Sequence, residues 1–499
     1  MFHRCSRTRT CWTAPAFALA LLASATARAD PSSSRLKKAI DAIVSRPELA
    51  PASWGIEVRS LSSGRTLYAR NAEKALRPAS NMKLVTTAAA LDAYGPDARL
   101  RTTVETAGRL DGLGRVLGDV YLVGRGDPDL SARFAPGRPT AAFEEMADAL
   151  VAAGVRRIEG GLVGHEGAFT GERRGPDWAW DDFAWGYGAE VSALSFADNL
   201  VAASLKPGER VGDPAVLDVS PPFGCVAVSS SVTTSVAATA SAGPAPTDEE
   251  VSLQRPPESN EVRLSGHVPL GGSWTGELSV TDPARCAARV FADVLETKGI
   301  RVAGGATTSS EPLPAGTRVL AAHLSPTIAE IVRVVNKVSQ NLHAEMLLRL
   351  VGLEVKGEGS AAKGHEAVAE FLRRLGVPDE GWALADGSGM SGFDLLTPRG
   401  LVALLAAMDR HPCAAAFRDS LPVAGVDGTL ETRMKGTPAA GRLVAKTGTM
   451  HLARALAGYV TTVRGQRLAF AIVVNNHEGR GREATAAIDD IAISLAAAR

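Results

Sequence analysis

The chain has no formal net charge and no recognisable metal-binding histidine motif, and each of these absences argues against particular classes of protein. Lysine and arginine together number 54, as do aspartate and glutamate, so the formal net charge is zero. Neither a nucleic-acid footprint nor a polybasic membrane patch is indicated. The nine histidines are scattered and form no H-E-x-x-H pair, which disfavours a zinc peptidase. We expect no metal site and no organic cofactor.

Cysteine is also scarce. Beyond residue 29 the chain contains Cys225, Cys286 and Cys413, an odd number that forbids a fully paired framework. A Cys225–Cys286 bridge is compatible with the sequence, but spacing alone fixes no connectivity. We favour the interpretation that the three are small buried apolar residues.

After the N-terminal segment, no apolar run approaches the roughly eighteen residues that a membrane-spanning helix needs. Residues 1–29 combine a basic start, an apolar stretch at 14–23 and Ala27-Arg28-Ala29 as an A-x-A cleavage site. They predict an export signal removed before Asp30, and a mature protein in the periplasm or outside the cell. Retention of residues 1–29 as an uncleaved anchor is the alternative, and the short apolar core argues against it.

Three short polar motifs are the most informative feature of the chain. They are Ser80-Asn81-Met82-Lys83, Ser339-Gln340-Asn341 and Lys446-Thr447-Gly448-Thr449. A serine three residues before a lysine usually marks only a solvated helix face. In the order S-x-x-K, S-x-N, K-T-G, however, the set is typical of a serine acyl-transfer site.

The first motif supplies a nucleophile and a base. An apolar run at 84–91 predicts a buried helix that opens near Ser80, so that the Lys83 amine lies one turn from the Ser80 hydroxyl. Serine is a poor nucleophile until a base takes its proton, and a lysine is a base only when neutral. Burial and a second cation, for which Lys446 is the natural candidate, would lower its pKa.

The other two motifs are suited to proton relay and substrate binding. Ser339 is expected to pass a proton toward the leaving amine, and Asn341 to hold Lys83 and the substrate amide. Lys446-Thr447-Gly448-Thr449 continues a short apolar run and predicts an edge strand that lines a peptide site. Its lysine and threonine hydroxyls can bind a substrate carboxylate, and the backbone N–H of Thr449 can form an oxyanion hole with that of Ser80.

With these motifs, the mature chain resembles the low-molecular-mass class C penicillin-binding proteins, the D-alanyl-D-alanine carboxypeptidase/endopeptidase family. The flanking sequences agree, notably 334–345 and Asp386-Gly387-Ser388-Gly389-Met390-Ser391. The resemblance implies an α/β multidomain chain with a penicillin-binding-protein/β-lactamase-like transpeptidase fold and two inserted domains, the outer one β-rich. The 259 residues from Ser80 to Ser339 agree with such an insertion and argue against a compact class A β-lactamase.

The expected division places the catalytic domain at 30–99 and 321–499. Domain II is expected at 100–123 and 195–320, and domain III at 124–194. A hairpin at 54–61 and 66–69, a helix at 140–153, strands at 455–462 and 467–475, and a closing helix at 483–498 are predicted. The Ser/Thr/Ala-rich segment 229–247 is interpreted as a surface strand with a loop rather than a mobile linker.

The resemblance implies a serine-type D-alanyl-D-alanine carboxypeptidase or D,D-endopeptidase that acts on peptidoglycan peptides and is acylated by β-lactams at Ser80. A β-lactamase-like or esterase activity and a non-catalytic peptidoglycan-binding protein are the alternatives. Asp386 and Ser388 are expected to order their loop. The tryptophans at 178, 180 and 185 are expected to fill a core rather than stack on a ligand. No oligomeric state is indicated.

Overall fold

The computed structural model describes residues 31–237, 251–378 and 380–498. The predicted export signal, residues 1–29, lies outside them. The α-helices of the described residues are α1 Pro31–Val44, α2 Met82–Tyr94, α3 Ala141–Ala152, α4 Pro283–Thr297, α5 Ile328–Lys337, α6 Asn341–Lys356, α7 Ala361–Arg374, α8 Pro398–Met408, α9 Ala414–Asp419 and α10 Gly481–Ala496. Within these ranges, no helix is both long and apolar enough to cross a membrane.

The strands occur in groups between these helices. They are β1 Ser53–Ser60, β2 Thr66–Arg70, β3 Arg99–Thr106, β4 Arg109–Leu110, β5 Arg115–Leu117, β6 Val120–Val123, β7 Arg157–Ile158, β8 Leu162–His165, β9 Leu200–Lys206, β10 Val216–Ser220, β11 Ala227–Ser230, β12 Thr233–Ser235, β13 Val251–Gln254, β14 Glu261–Pro269, β15 Trp274–Ser279, β16 Arg301–Val302, β17 Ala306–Ser309, β18 Arg318–Thr327, β19 Leu443–Met450, β20 Ala453–Thr461 and β21 Arg467–Asn475. The predicted hairpin, helices and C-terminal strands are confirmed with small shifts at their ends.

One antiparallel sheet joins the two ends of the chain in the order β19-β20-β21-β1-β2. Ser53 of β1 pairs with Asn475 of β21, and the register continues to Ser60 opposite Leu468. The strand carrying Lys446 is an edge strand, as predicted. This pairing brings the N-terminal Ser80 helix and the C-terminal Lys446 strand into one unit.

Both faces of this sheet are buried, which explains the nearly continuous apolar sequence of β21. Leu468, Phe470, Ile472 and Val474 pack with residues of α1 and α10, whereas Ala469, Ala471 and Val473 pack with α2 and α8. Successive side chains of a strand point to opposite faces, so a strand between two helical layers must be apolar at every position. The small alanines let α8 pack directly on this face, and residues 82–91 of α2 are buried.

The residues between the catalytic segments form further sheets around a separate hydrophobic core. One sheet has the order β17-β8-β6-β3-β18, and parallel pairs join β8 to both β6 and β17. Because β8 lies within 124–194 whereas β6 and β17 lie in the predicted domain II segments, this sheet crosses the predicted border between domains II and III. Apart from an isolated bridge between Trp185 and Leu278, the strands of residues 200–279 pair only among themselves in the described part of the chain.

Two of the three cysteines differ from the sequence-based prediction. Cys225 and Cys286 form a disulfide that ties the segment before β11 to α4, with Cα atoms 5.6 Å apart. Our preferred interpretation of both as buried apolar residues is therefore wrong, whereas Cys413 is free and buried, as expected. In the segment 229–247, residues 229–237 contain the end of β11 and β12, and the remainder lies outside the described residues.

Candidate active site

Ser80 lies in a single 3₁₀ turn, Ala79–Asn81, that leads directly into α2. Two glycines let other segments approach this turn closely. A Cβ atom at Gly448 would lie 2.6 Å from the Pro78 carbonyl oxygen, and one at Gly389 would overlap the Ala79 carbonyl. The turn is therefore enclosed between β19 and the loop that follows Asp386, while Ser80 itself stays partly exposed.

The Lys83 amine is the centre of the site. Its Nζ lies 3.1 Å from Ser80 Oγ, 2.7 Å from Asn341 Oδ1 and 2.6 Å from the Ser388 carbonyl oxygen. The amide and carbonyl oxygens can only accept, so they take two hydrogens of the amine. In a neutral amine the lone pair is then left for the Ser80 hydroxyl, which is the arrangement that a general base needs.

The pKa of Lys83 is suited to this role. Burial, which disfavours the charged form, lowers it to about 8, against the attraction of Asp386, Glu345 and Asp394. Lys446 is also fully buried, and burial together with the charge of Lys83 lowers its pKa well below the usual lysine value. The depression at Lys83 is thus mainly an effect of burial, whereas the mutual repulsion of the two lysines is expressed at Lys446.

Ser339 and Lys446 form the second hydrogen-bonded pair. Ser339 lies in the turn between α5 and α6 with a left-handed backbone, φ 62°. Lys446 Nζ donates to Ser339 Oγ at 2.9 Å and to the Thr447 carbonyl at 2.9 Å. The Thr447 hydroxyl lies 2.8 Å from that of Thr429, on the loop before β19. The third motif is therefore joined directly to the second.

Asn341 opens α6 and connects the catalytic unit to the inserted region. Its Oδ1 accepts from Lys83, and its Nδ2 donates to the Tyr187 carbonyl at 3.0 Å and faces Met390 Sδ at 3.6 Å. These partners fix the orientation of the amide. Thr449 lies on the same edge strand as Lys446 and is exposed; its part in an oxyanion hole with Ser80 stays a prediction.

The loop at 385–391 contributes more than the sequence indicated. The Asp386 carboxylate accepts from the backbone N–H groups of Ser388, Gly389 and Ser391, which orders the loop as expected. Ser388, however, also contacts Lys83 directly through its carbonyl. A backbone carbonyl leaves no mark in a sequence; the only available signal was the Asp386-Gly387-Ser388-Gly389 pattern, which predicts a tight loop.

The tryptophans divide between two environments. Trp178 is buried and its Nε1 donates to Asp386 at 2.9 Å, so it supports the same loop. Trp185 packs against the core of the inserted region. Trp180 is 84% exposed, so the expectation of a core role is wrong for this residue.

Comparisons with known proteins find a family and relatives that match most of the chain. The family model described as the D-Ala-D-Ala carboxypeptidase 3 (S13) family matches residues 36–495. The D-alanyl-D-alanine carboxypeptidase of Actinomadura sp. (strain R39) is 37% identical over 97% of this chain and 89% of its own length. The carboxypeptidase DacB of Haemophilus influenzae is 26% identical over 85% of each chain.

Among solved structures, penicillin-binding protein 4 (dacB) of H. influenzae superposes with a TM-score of 0.79 at 22% identity, covering 91% of this chain and 98% of that one. The same protein in complex with a β-lactam superposes with a TM-score of 0.72 at 21% identity over the same shares of the two chains. These likenesses confirm the multidomain α/β fold that the sequence predicted. With the family match over most of its length and the 37% identical relative, the chain belongs to the D-Ala-D-Ala carboxypeptidase 3 (S13) family.

Proposed function

We propose that this chain is a serine-type D-alanyl-D-alanine carboxypeptidase or D,D-endopeptidase that acts on peptidoglycan stem peptides through an acyl-enzyme on Ser80. The observation that carries the proposal is the set of hydrogen bonds from Lys83 to Ser80, Asn341 and Ser388. These bonds support the proposal because the Lys83 amine, with its pKa lowered by burial to about 8, lies 3.1 Å from a partly exposed serine hydroxyl. Family membership supplies the class of substrate.

In the acylation step, neutral Lys83 takes the proton of the Ser80 hydroxyl, and Oγ attacks the carbonyl carbon of the penultimate D-alanine. With a pKa of about 8, roughly a tenth of the lysine is neutral at pH 7. The negative charge that develops on the carbonyl oxygen is stabilised by backbone N–H groups, for which Ser80 and Thr449 are the proposed donors.

Collapse of the tetrahedral intermediate breaks the bond to the leaving amine, which needs a proton. Ser339 is the proposed relay, since its hydroxyl is hydrogen-bonded to Lys446 Nζ at 2.9 Å. We propose that the proton taken by Lys83 passes through the Ser339 hydroxyl to the amine nitrogen when substrate is bound, because without substrate Lys83 hydrogen-bonds Ser80, Asn341 and Ser388 and not Ser339. The free D-alanine or the cross-linked partner then leaves. Water then attacks the Ser80 ester by the same steps in reverse.

Lys446, Thr447, Gly448 and Thr449 are proposed to bind the substrate. They lie on the edge strand β19, whose outer side can pair with an extended peptide beyond the bridge between Val423 and Val444. Gly448 brings this strand close to the Ser80 turn, so a peptide bound there would present its carbonyl to Ser80. The Lys446 amine and the threonine hydroxyls can donate hydrogen bonds to a terminal carboxylate.

We further propose export to the periplasm, based on the signal-like residues 1–29, and two inserted domains. The strand pairing favours a revised division of the inserted region. In it, one unit comprises about 99–195 and 280–327, and the other is the sheet-forming segment 200–279 within it.

The test is intact-protein mass spectrometry of the mature chain after incubation with penicillin. A stoichiometric adduct is expected on the wild type and on Ser63→Ala, a change in the exposed β1–β2 turn, and none on Ser80→Ala. Release of D-alanine from a D-Ala-D-Ala peptide should follow the same pattern. An unmodified wild type that consumes no penicillin would refute the acyl-serine mechanism. Rapid consumption without a lasting adduct would instead support a β-lactamase.

A further inference from the structure

One face of helix α6 runs from the catalytic site into the protein interior. Asn341, Glu345 and Arg349 are each four residues apart, so they lie above one another on the same face. Asn341 contacts Lys83, and the side chains of Glu345 and Arg349 are almost completely buried. None of the sequence motifs explains why a carboxylate should be buried one turn behind the catalytic amide.

Glu345 holds the backbone of the loop that contacts Lys83. Its Oε1 accepts from the N–H groups of Gly387 at 2.7 Å and Ser388 at 2.9 Å. Its Oε2 lies 3.2 Å from Arg349 Nη1, which balances the charge. Arg349 in turn donates to the Glu172 carbonyl at 2.8 Å, in the inserted region. A buried carboxylate with three such partners is fully satisfied.

The loop cannot easily find another position. A Cβ atom at Gly387 would lie 2.9 Å from the Leu348 Cβ, so the backbone rests directly on α6. The Gly387 carbonyl also accepts from the Thr86 hydroxyl at 2.7 Å, which ties the loop to α2. The Ser388 carbonyl that contacts Lys83 at 2.6 Å belongs to the same short stretch of backbone. A displacement of the Glu345 carboxylate would therefore be transmitted to Lys83.

We propose that Glu345 is a positioning residue for acylation: it holds the Ser388 carbonyl on the Lys83 amine, so that the free lone pair of Lys83 points to Ser80. The inference rests on the proposed function, because it assigns a task within the same reaction. Glu345 itself does not touch the substrate. Its effect combines a fixed backbone geometry with a buried negative charge near the catalytic base.

Several charged groups surround this pair and must be considered together. Those that act on Lys83 from the neighbouring elements are Glu345 on α6 and Asp386 and Asp394 on the loop. On β19, burial and the charge of Lys83 lower the pKa of Lys446. Arg349 and His365 lie near Glu345 and Asp386. Burial and its Asp386 neighbour raise the pKa of Asp394 well above its usual value. Removing the Glu345 charge would thus leave fewer anions to favour protonated Lys83.

Two substitutions separate the charge from the geometry. Glu345→Gln keeps the length and an oxygen for the two N–H groups but removes the charge. Glu345→Asp keeps the charge but withdraws it by about 1.5 Å, the length of one bond. Glu354→Gln is the matched control, because it removes the same charge from an exposed position on the same helix. For each purified protein, the second-order rate of acylation by penicillin is measured from pH 5.5 to 9.5, together with the melting temperature.

The acid limb is the part of the pH profile in which the acylation rate rises as Lys83 loses its proton. The Gln variant is expected to move this limb to lower pH by about half to one unit. The Asp variant is expected to lower the plateau rate by about 10²-fold, with the acid limb near its wild-type position. The control should match the wild type. If both folded variants show the pH profile of the wild type, the proposal is overturned. A lower melting temperature without any change in the acid limb or in the plateau rate would also overturn it.

Failure of both variants to fold would also overturn it, because the residue would then serve stability rather than Lys83. A wild type that penicillin does not acylate would instead refute the proposed function. That result would be seen before any variant is compared.

Discussion

The pH dependence of acylation tests the assignment of Lys83 as the base. Because burial lowers its pKa to about 8, the reactive neutral form should increase as pH rises through this value and then level off. The neutral fraction is about 1% at pH 6, about 50% at pH 8 and about 90% at pH 9. The acylation rate should therefore rise about 50-fold from pH 6 to pH 8, but less than about twofold from pH 8 to pH 9.

An ordinary lysine behaves differently over the last interval. With a pKa near 10.5, the neutral fraction would still grow about tenfold from pH 8 to pH 9. The assay is stopped-flow or quenched mass spectrometry with penicillin, corrected at each pH for spontaneous hydrolysis of the antibiotic. Circular dichroism at each pH verifies that the protein remains folded. A tenfold rise between pH 8 and 9, or a rate that is flat from pH 6 upward, would refute the argument.

Two further changes have expected outcomes. Asn341→Asp places a negative charge on the atom that now accepts from Lys83 at 2.7 Å. This charge should raise the pKa of Lys83, shift the acid limb to higher pH by about one unit or more, and slow acylation at pH 7 at least tenfold; an unmoved limb would contradict the assigned contact. Reducing the Cys225–Cys286 disulfide, or replacing both cysteines by serine, opens a 61-residue loop in the inserted region. Calorimetry should show a loss of up to about 4 kcal/mol there, and an unchanged unfolding profile after reduction would refute the pairing.

Much of the local structure followed from the sequence because its causes are local. The apolar run after Ser80 gave a buried helix, and the turn at Ser63-Gly64 gave a hairpin. The short apolar run before Lys446 predicted an edge strand, which is β19. By contrast, the disulfide and the sheet that crosses the predicted domain border join residues distant in sequence. No periodicity within either partner specifies such a pairing.

The order and spacing of the three motifs determined the catalytic class, because each residue type has its own chemistry: a hydroxyl to attack, amines to move protons and an amide to orient them. Only the tertiary structure decided how these groups work together. The packing of α2 against α6 sets the distance from Lys83 to Asn341, and the sheet order β19-β20-β21-β1 brings the Lys446 strand into the same unit. Burial set its pKa, and a backbone carbonyl held by Glu345 completes its hydrogen bonds. Burial and backbone position arise from contacts between distant segments, which the individual motifs do not encode.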